Sequence, residues 1–294
     1  MPWWVMLFYV DKANADLPVT GNPHLIVTVA IGELYMKLWN RVCRPSWEKY
    51  AAQWNADIVV ITEYLDDSEL AKARSPAWQK LLILDQPWAK HYPRLLWLDA
   101  DILISNRALN IFEYATDPAK IGICVNGGRL SDAEKLIYLE RLHGVQFRAD
   151  MAEMAWTEEI YKHYLGEGLP QHELMYNTGV MLLSPRHHNE LFRDVYKGKQ
   201  YGKLYEQPLL SHEIVVRGLA QDLVPRFNWG IHESLVMYTW RWNCGDIDRL
   251  RAAVGFLVER ELDNAYFLHF YGTMDVMKLY LVGEDDPVSA SAAA

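Results

Sequence analysis

Two aspartates separated by a single residue follow an apolar run. They are Asp99 and Asp101 in the segment PRLLWLDADILIS. Residues two apart on an extended chain project to the same face, so the two carboxylates are expected to lie side by side. Adjacent carboxylates repel each other unless a cation neutralises them, and carboxylate oxygens suit hard divalent ions such as Mg²⁺ or Mn²⁺. Two surface aspartates in a turn would show the same spacing, but the apolar residues on both sides predict that the core holds the pair in place, which weakens that alternative.

The residues around this pair alternate between strand and helix patterns. Short apolar runs predict strands at 24–30, 57–62, 94–98, 102–104, 120–125, 180–183 and 266–270. The stretches between them predict helices at 33–56, 76–88, 131–168, 188–198, 206–218 and 247–261. Pro45 is expected to divide the first helix near Arg44, and Ser75 with Pro76 is expected to begin the second. This alternation indicates an α/β fold with a mostly parallel sheet, whose carboxyl edge is where such sheets bind ligands.

The composition bounds the class of protein. The chain has 294 residues, of which 51% are apolar and 23% charged, and its net charge is −9. We expect one domain over 1–285 and a disordered tail at 286–294, and the acidic balance argues against a nucleic-acid partner. Cys43, Cys124 and Cys244 have no zinc-ligand spacing, and an odd number of cysteines suits a reducing compartment, so a cytoplasmic location is expected.

The first ten residues, MPWWVMLFYV, form an apolar segment. They are too few to cross a bilayer and lack the basic region and cleavage site of a signal peptide, so no transmembrane segment is expected. The simplest interpretation is an edge strand or a packed arm. A peripheral membrane contact through Trp3, Trp4 and Phe8 stays open as an alternative.

Three common catalytic or nucleotide-binding motifs are missing from the sequence. No GxGxxG follows a strand, and neither GxxxxGKS nor GxxxxGKT occurs, which argues against dinucleotide and P-loop phosphate cradles. No GxSxG turn occurs either, which argues against an α/β-hydrolase.

The run LLWLDADILI resembles the DxD segment of GT-A glycosyltransferases, above all the retaining family that holds glycogenin and bacterial lipopolysaccharide galactosyltransferases. Further motifs of that family follow in the same order and at similar spacing. They are Tyr176-Asn177-Thr178-Gly179-Val180, Glu206-Gln207, Phe227-Asn228 and His269-Phe270-Tyr271-Gly272. The resemblance spans residues 25 to 272. It implies a GT-A type, Rossmann-like α/β fold in a single domain with helical elaborations, and the activity of a hexosyltransferase.

The resemblance also implies a role for each matching residue. Asp99, Asp101 and His269 would hold Mn²⁺ or Mg²⁺, which would bridge the diphosphate of a nucleotide sugar, most often a UDP-sugar. Glu206 and Gln207 are the candidate catalytic residues beside the sugar ring, and retention of the anomeric configuration is expected. The remaining candidates for donor binding are Thr28, Val29, Ala30, Lys80, Ala100, Asn126, Asn177, Gly272 and Lys278.

The sequence departs from the family pattern at two positions. Glu206 stands where the family usually has Asp, and its side chain is one methylene longer. Asp275 stands where the family usually has a lysine that contacts the diphosphate. Lys278, three residues later, is the candidate replacement.

Two other functions remain open on the sequence alone. A nucleotidyltransferase of similar fold would need a Gly-rich, basic loop after the first strand, and the segment AIGELYMK has one Gly and no Arg. A non-catalytic sugar-nucleotide-binding protein would have no need of the three metal-ligating residues.

The acceptor is an unknown glycan, lipid or protein; Trp229, Trp240 and Trp242 are candidates to stack on it. The sequence does not indicate an oligomeric state.

Overall fold

The computed structural model describes residues 5–11, 16–198, 204–238 and 247–281. Its strands are β1 (Leu7–Val10), β2 (His24–Val29), β3 (Ala56–Ile61), β4 (Arg94–Leu98), β5 (Ile102–Ile104), β6 (Ile121–Val125), β7 (Tyr176–Leu183), β8 (Ala220–Asp222), β9 (Trp229–Gly230) and β10 (Phe267–His269). Seven of these strands form a main sheet and three form a small one.

The main sheet has the strand order β1-β3-β2-β4-β7-β6-β8. Strand β7 is antiparallel to both of its neighbours, β4 and β6, whereas the other neighbours are parallel. The predicted α/β fold with a mostly parallel sheet is therefore confirmed. Because β7 runs the opposite way, its first residues lie at the edge where β2, β4 and β6 end, and side chains from both kinds of strand meet at this edge.

The small sheet places the last strand beside the Asp pair. Strand β10 pairs antiparallel with β5 and parallel with β9, and His269 lies opposite Ile102 in that register. The backbone N–H of Phe270 also donates to the carbonyl oxygen of Asp101 at 3.0 Å. The pairing thus brings His269 to Asp101 although many residues separate them in the chain.

Helices surround the sheets. They are α1 (Glu33–Leu38), α2 (Arg44–Trp54), α3 (Glu69–Lys72), α4 (Ile111–Tyr114), α5 (Asp132–His143), α6 (Ala152–Gly166), α7 (Pro185–Lys197), α8 (Gln207–Val216), α9 (Ile231–Met237), α10 (Ile247–Asn264) and α11 (Met274–Leu281). A π-helical turn joins α1 to α2, which begins at Arg44, where the sequence predicts the division. Ser75 begins the next helical segment, as predicted, by accepting from the N–H of Ala77, but that segment, Pro76–Asp85, is a 3-10 helix.

Alternate residues of the central strands pack on opposite faces of the main sheet, as the two-residue period of a strand requires. Ile26 and Leu96 join an apolar cluster that includes α2 and the small sheet. Val27 and Trp97 join a second cluster that includes the 3-10 helix and α7. The central strands are therefore buried on both faces, and polar side chains emerge only where the strands end.

The amino-terminal segment is tied to this sheet. Strand β1 lies at the edge of the main sheet and pairs with β3, which confirms the predicted edge strand, and Phe8 packs against the core. Trp3, Trp4, Trp240, Trp242, Cys244 and the tail 286–294 lie outside the described residues. Among the described helices, none combines the length and the apolar character that a bilayer crossing requires.

Asp57, which is fully buried at the start of β3, anchors the amino-terminal segment. Its carboxylate accepts hydrogen bonds from the side chains of Thr20, Asn22 and Tyr92, and from the backbone N–H of Met6. A buried carboxylate is tolerated in a core when donors surround it in this way.

We expect Asp57→Ala to destabilise the fold, because four buried or half-buried donors lose their acceptor. The loss should be about 3 kcal/mol, as for hydrogen bonds to a charged group, and chemical denaturation measures it. Asp150→Ala is the matched control, because its exposed pair with Arg148 should contribute less than about 1 kcal/mol. Equal losses in the two variants would contradict the anchoring role of Asp57.

Candidate functional site

A cavity of about 770 Å³ opens at the edge where the parallel strands end. The ends of β2 and β4, the first residues of β7, and residues of α5, α6, α8 and α9 line it. The sequence-predicted residues Val29, Lys80, Asp99, Ala100, Asp101, Asn126, Asn177, Glu206, Gln207, His269 and Gly272 all line this cavity. Strand ends of a mostly parallel sheet are where such folds place their ligands.

Asp99, Asp101 and His269 form a compact cluster at the base of the cavity. Each offers one ligand atom, and these atoms lie within 4.8 Å of one another. The Nε2 atom of His269 lies 3.2 Å from a carboxylate oxygen of Asp101 and 3.7 Å from one of Asp99. Two carboxylates and one imidazole are a donor set that binds Mn²⁺ or Mg²⁺.

A chain of hydrogen bonds, here called the amide relay, fixes the tautomer of His269. The backbone N–H of Gly179 donates to the side-chain oxygen of Asn177, which also accepts from the side-chain N–H of Asn228. Because the amide nitrogen of Asn228 is used in this way, its side-chain oxygen faces the Nδ1 atom of His269, at 2.9 Å. An amide oxygen only accepts hydrogen bonds, so Nδ1 carries the proton. The lone pair of Nε2 therefore points at the carboxylates of Asp99 and Asp101.

A lone pair that faces two carboxylates is stable only with a cation between them. The Nε2 atom of His269 is buried and has no hydrogen-bond partner among the described residues. Burial lowers the pKa of His269, but Asp101 and Asp99 raise it more, so the net shift is upward. Either a proton or a metal ion satisfies this site, and the orienting hydrogen bond on Nδ1 is typical of metal-binding histidines. The residues present fit a divalent metal.

Gly179 leaves the space in which the His269 ring lies. A Cβ atom added to Gly179 would lie 2.1 Å from the Cε1 atom of His269. The strand backbone and the imidazole therefore approach more closely than any side chain at position 179 would allow. This is a physical reason for glycine in the Asn-Thr-Gly sequence of β7.

Lys80 is buried between two carboxylates. It is 2% exposed, and its ammonium lies 2.9 Å from Asp99 and 2.7 Å from Glu206. Burial lowers the pKa of Lys80, but the two carboxylates raise it more, so the lysine stays charged. Burial has the opposite effect on Asp99 and raises its pKa, but Lys80 and His269 lower this pKa more, so the net shift is downward. Asp99 is also held by the indole N–H of Trp97 at 2.9 Å.

The side chains expected around a sugar ring meet on the adjacent wall. Glu206 accepts from the hydroxyl of Thr178 at 2.9 Å, and Gln207 accepts from the backbone N–H of Thr178 at 3.3 Å. The side-chain N–H of Asn177 faces Asn126 at 3.4 Å. Helix α8 begins at Gln207 directly after Glu206, so the helix start positions both residues against the first residues of β7.

Three predicted donor-binding residues lie away from the cavity wall. Val29 lines the cavity, but the side chains of Thr28 and Ala30, its neighbours in sequence, are fully buried because β2 is central to the sheet. Lys278 lies on α11 and forms an ion pair with Asp275 at 2.9 Å. Asp275 is among the residues that line the cavity, whereas Lys278 is not. The nucleotide-binding roles of Thr28, Ala30 and Lys278 stay predictions.

Sequence reasoning assigned no role to several residues of the site. Asn228 was part of a recognised motif, yet its position in the amide relay depends on the end of a 3-10 helix that the pattern does not reveal. Trp97 belongs to an apolar strand, where a tryptophan predicts core packing. By contrast, Trp229, a predicted candidate to stack on the acceptor, lies under the guanidinium of Arg129, donates to Glu261 and is not among the residues that line the cavity.

A solved structure shares the fold of this chain. A glycosyltransferase involved in the glycosylation of the major capsid of PBCV-1 is 13% identical, with 88% of this chain and 99% of that chain covered and a TM-score of 0.51. The galactosyltransferase LgtC, in complex with donor and acceptor sugar analogues, is 14% identical, with 88% and 98% covered and a TM-score of 0.47. No protein-family model and no curated protein sequence matches the chain. The likeness to the first structure confirms the predicted GT-A glycosyltransferase fold.

We expect Gly179→Ala to disrupt the metal-ligating cluster, because its Cβ would displace the His269 ring. Mn²⁺ affinity, measured by titration calorimetry, should fall about tenfold or more, as when a metal-binding histidine loses its orientation. Gly255→Ala is the matched control, since a Cβ there meets nothing within 4 Å. Unchanged Mn²⁺ affinity in a folded Gly179→Ala variant would contradict this account of the site.

Proposed function

We propose that the protein is a metal-dependent glycosyltransferase that moves a sugar from a nucleotide sugar, UDP-linked by the resemblance of its motifs, to an acceptor. The observation that carries the proposal is the cluster of Asp99, Asp101 and His269 at the base of the cavity. This cluster lies at the edge where a GT-A fold binds its donor. The proposal extends the confirmed fold to an activity.

The charges around the cluster support a divalent ion. Asp99, Asp101 and Glu206 carry three negative charges, and Lys80 supplies one positive charge between two of them. His269 is neutral when its Nε2 lone pair serves a metal, so two negative charges remain for the ion to balance. A bound Mn²⁺ or Mg²⁺ would act as a Lewis acid on the departing diphosphate.

The chain's own residues would hold the rest of the donor. Asn177 and Asn126 present amide groups beside the metal cluster, which suits hydroxyls of a transferred sugar. Gln207 also lines the cavity, and its amide oxygen accepts from the backbone N–H of Thr178. Gly272 lines the cavity next to the cluster and carries no side chain, which leaves space beside its backbone for a phosphate.

The environment of Glu206 supports retention of configuration. An inverting reaction needs a free carboxylate that takes the proton of the acceptor hydroxyl. Glu206 is 2% exposed, and its Oε1 atom already pairs with Lys80 and Thr178, so this buried side chain is poorly placed to act as that base. Gln207 is neutral, and its amide oxygen could only stabilise positive charge at the anomeric carbon. The proton would then pass to the departing phosphate on the same face.

We expect Asp99→Asn and Asp101→Asn each to abolish Mn²⁺-dependent binding of UDP, because each removes a charged metal ligand. Titration calorimetry with and without Mn²⁺ measures this binding, and circular dichroism checks the fold. Asp263→Asn is the matched control, because Asp263 is 67% exposed, pairs with Arg107 and is not among the residues that line the cavity.

Full UDP–Mn²⁺ affinity in both cluster variants would contradict the metal assignment. A panel of UDP- and GDP-sugars identifies the donor by the nucleoside diphosphate released. Release of pyrophosphate from a nucleoside triphosphate, with no release from nucleotide sugars, would favour the nucleotidyltransferase instead.

We expect an α-linked nucleotide sugar to give an α-linked product. Gln207→Ala should slow turnover, because the developing positive charge loses its amide oxygen, whereas Glu206→Gln should mainly weaken donor binding. The anomeric proton of the product in an NMR spectrum reports the configuration directly. A β-linked product would rule out retention and the role given to Gln207.

A further inference from the structure

Four aromatic rings form a row that leads from the metal cluster to the far wall of the cavity. The row consists of Tyr271, His232, Tyr138 and Trp156. Tyr271 begins it with its ring centroid 5.0 Å from that of His269. The next steps, to His232, Tyr138 and Trp156, measure 5.7, 6.0 and 5.9 Å.

Every ring of this row faces the cavity. All four residues line it, and all four are half-buried. They come from separate elements, because Tyr271 follows β10, His232 lies on α9, Tyr138 on α5 and Trp156 on α6. Four separate elements therefore each contribute one aromatic ring to the lining of the same cavity.

Close packing fixes the outer end of the row. The ring of Trp156 lies against Gly127, whose φ is +65°, and a Cβ atom there would be 2.1 Å from the ring. Helix α5 begins with a capping box, in which Ser131 and Glu134 bind each other's backbone N–H groups. The helix start and the close approach to Gly127 therefore hold Tyr138 and Trp156 in place before any ligand arrives.

Buried charges hold the inner end. The carboxylate of Glu233, which is 4% exposed, and the ring of Tyr271 both pack against Gly230, where an added Cβ atom would lie 2.2 Å from Glu233 and 2.5 Å from Tyr271. Arg129 lies 3.8 Å from Glu233 and donates to the hydroxyl of Ser234 at 2.8 Å. These contacts fix the end of the row nearest to the metal cluster.

Polar groups accompany the rings along the cavity wall. Glu159 and His163, which lie one and two turns of α6 beyond Trp156, both line the cavity. The ammonium of Lys135 lies 6.0 Å from the centroid of the Trp156 ring. A wall for a lipid chain would be apolar throughout, whereas rings accompanied by a carboxylate and an imidazole suit a ligand with both apolar faces and hydroxyl edges.

We infer that this aromatic row is the acceptor subsite and that the acceptor is a carbohydrate. A pyranose ring has a face of C–H groups that stacks on an aromatic ring and an edge of hydroxyls that bonds to carboxylate or imidazole. Tyr138 and Trp156 would carry the sugar units farther from the bond that forms, and Tyr271 would lie beside the reacting unit. This inference rests on the proposed function, because it takes the metal cluster as the donor site.

Saturation-transfer NMR with lactose, maltose and chitobiose as probes tests the inference on the full chain with UDP and Mn²⁺ present. We expect at least one disaccharide to receive saturation on its ring protons.

Tyr138→Leu and Trp156→Leu should each weaken its binding about threefold to tenfold, the range for one lost aromatic contact. Trp156→Phe should restore most of it, which a loss of fold would not allow. Phe256→Leu is the matched control, because Phe256 is 64% exposed on α10, outside the cavity lining.

UDP–Mn²⁺ affinity, measured on the same variants, separates the two proposals. Unchanged UDP affinity with weakened disaccharide binding supports the acceptor subsite. Disaccharide binding that survives both leucine variants, or UDP binding without binding of any disaccharide, overturns it and leaves the proposed function standing. Saturation of a tyrosine-containing tripeptide in place of the sugars would also overturn it. Disaccharide binding that depends on the row, without any nucleotide binding, would support a sugar site and contradict the proposed function.

Discussion

The structure depends on how three carboxylates are held together at one edge of a buried sheet. Asp99, Asp101 and Glu206 would repel one another there, and a single buried ammonium, that of Lys80, lies between two of them. The strands on either side are apolar on both faces, so the core fixes where these side chains emerge. The lysine offsets part of the charge, and the cluster keeps enough negative charge to attract a divalent ion.

The second constraint is the orientation of one imidazole. The amide relay starts from a backbone N–H, whose direction the strand sets, and passes through two asparagines to His269. Each asparagine has one arrangement that satisfies its neighbours, so the position of the proton on His269 follows from the backbone of β7. The same strand supplies the glycine that makes room for the ring.

Much of the fold and the center of the site could be predicted from the sequence, because strand period and motif order depend on neighbouring residues. The Asp pair after an apolar strand predicted the edge of the sheet at which the cavity opens, whereas metal binding by the pair stays a prediction. The reversed direction of β7 could not be predicted, since an apolar run has the same pattern in a parallel or an antiparallel strand. The pairing of Lys80 with Glu206 and the aromatic row bring together residues from distant segments, and no local pattern reports such contacts.

The register of β10 against β5 has a consequence for how the molecule folds. His269 belongs to the last described strand, whereas Asp99 and Asp101 follow the fourth. Contacts between segments so distant in the chain form slowly, because closing a long loop costs entropy before the contact repays it. During synthesis the Asp pair leaves the ribosome long before its imidazole partner, so the cluster that these three residues form is completed only after nearly all of the described chain has been made.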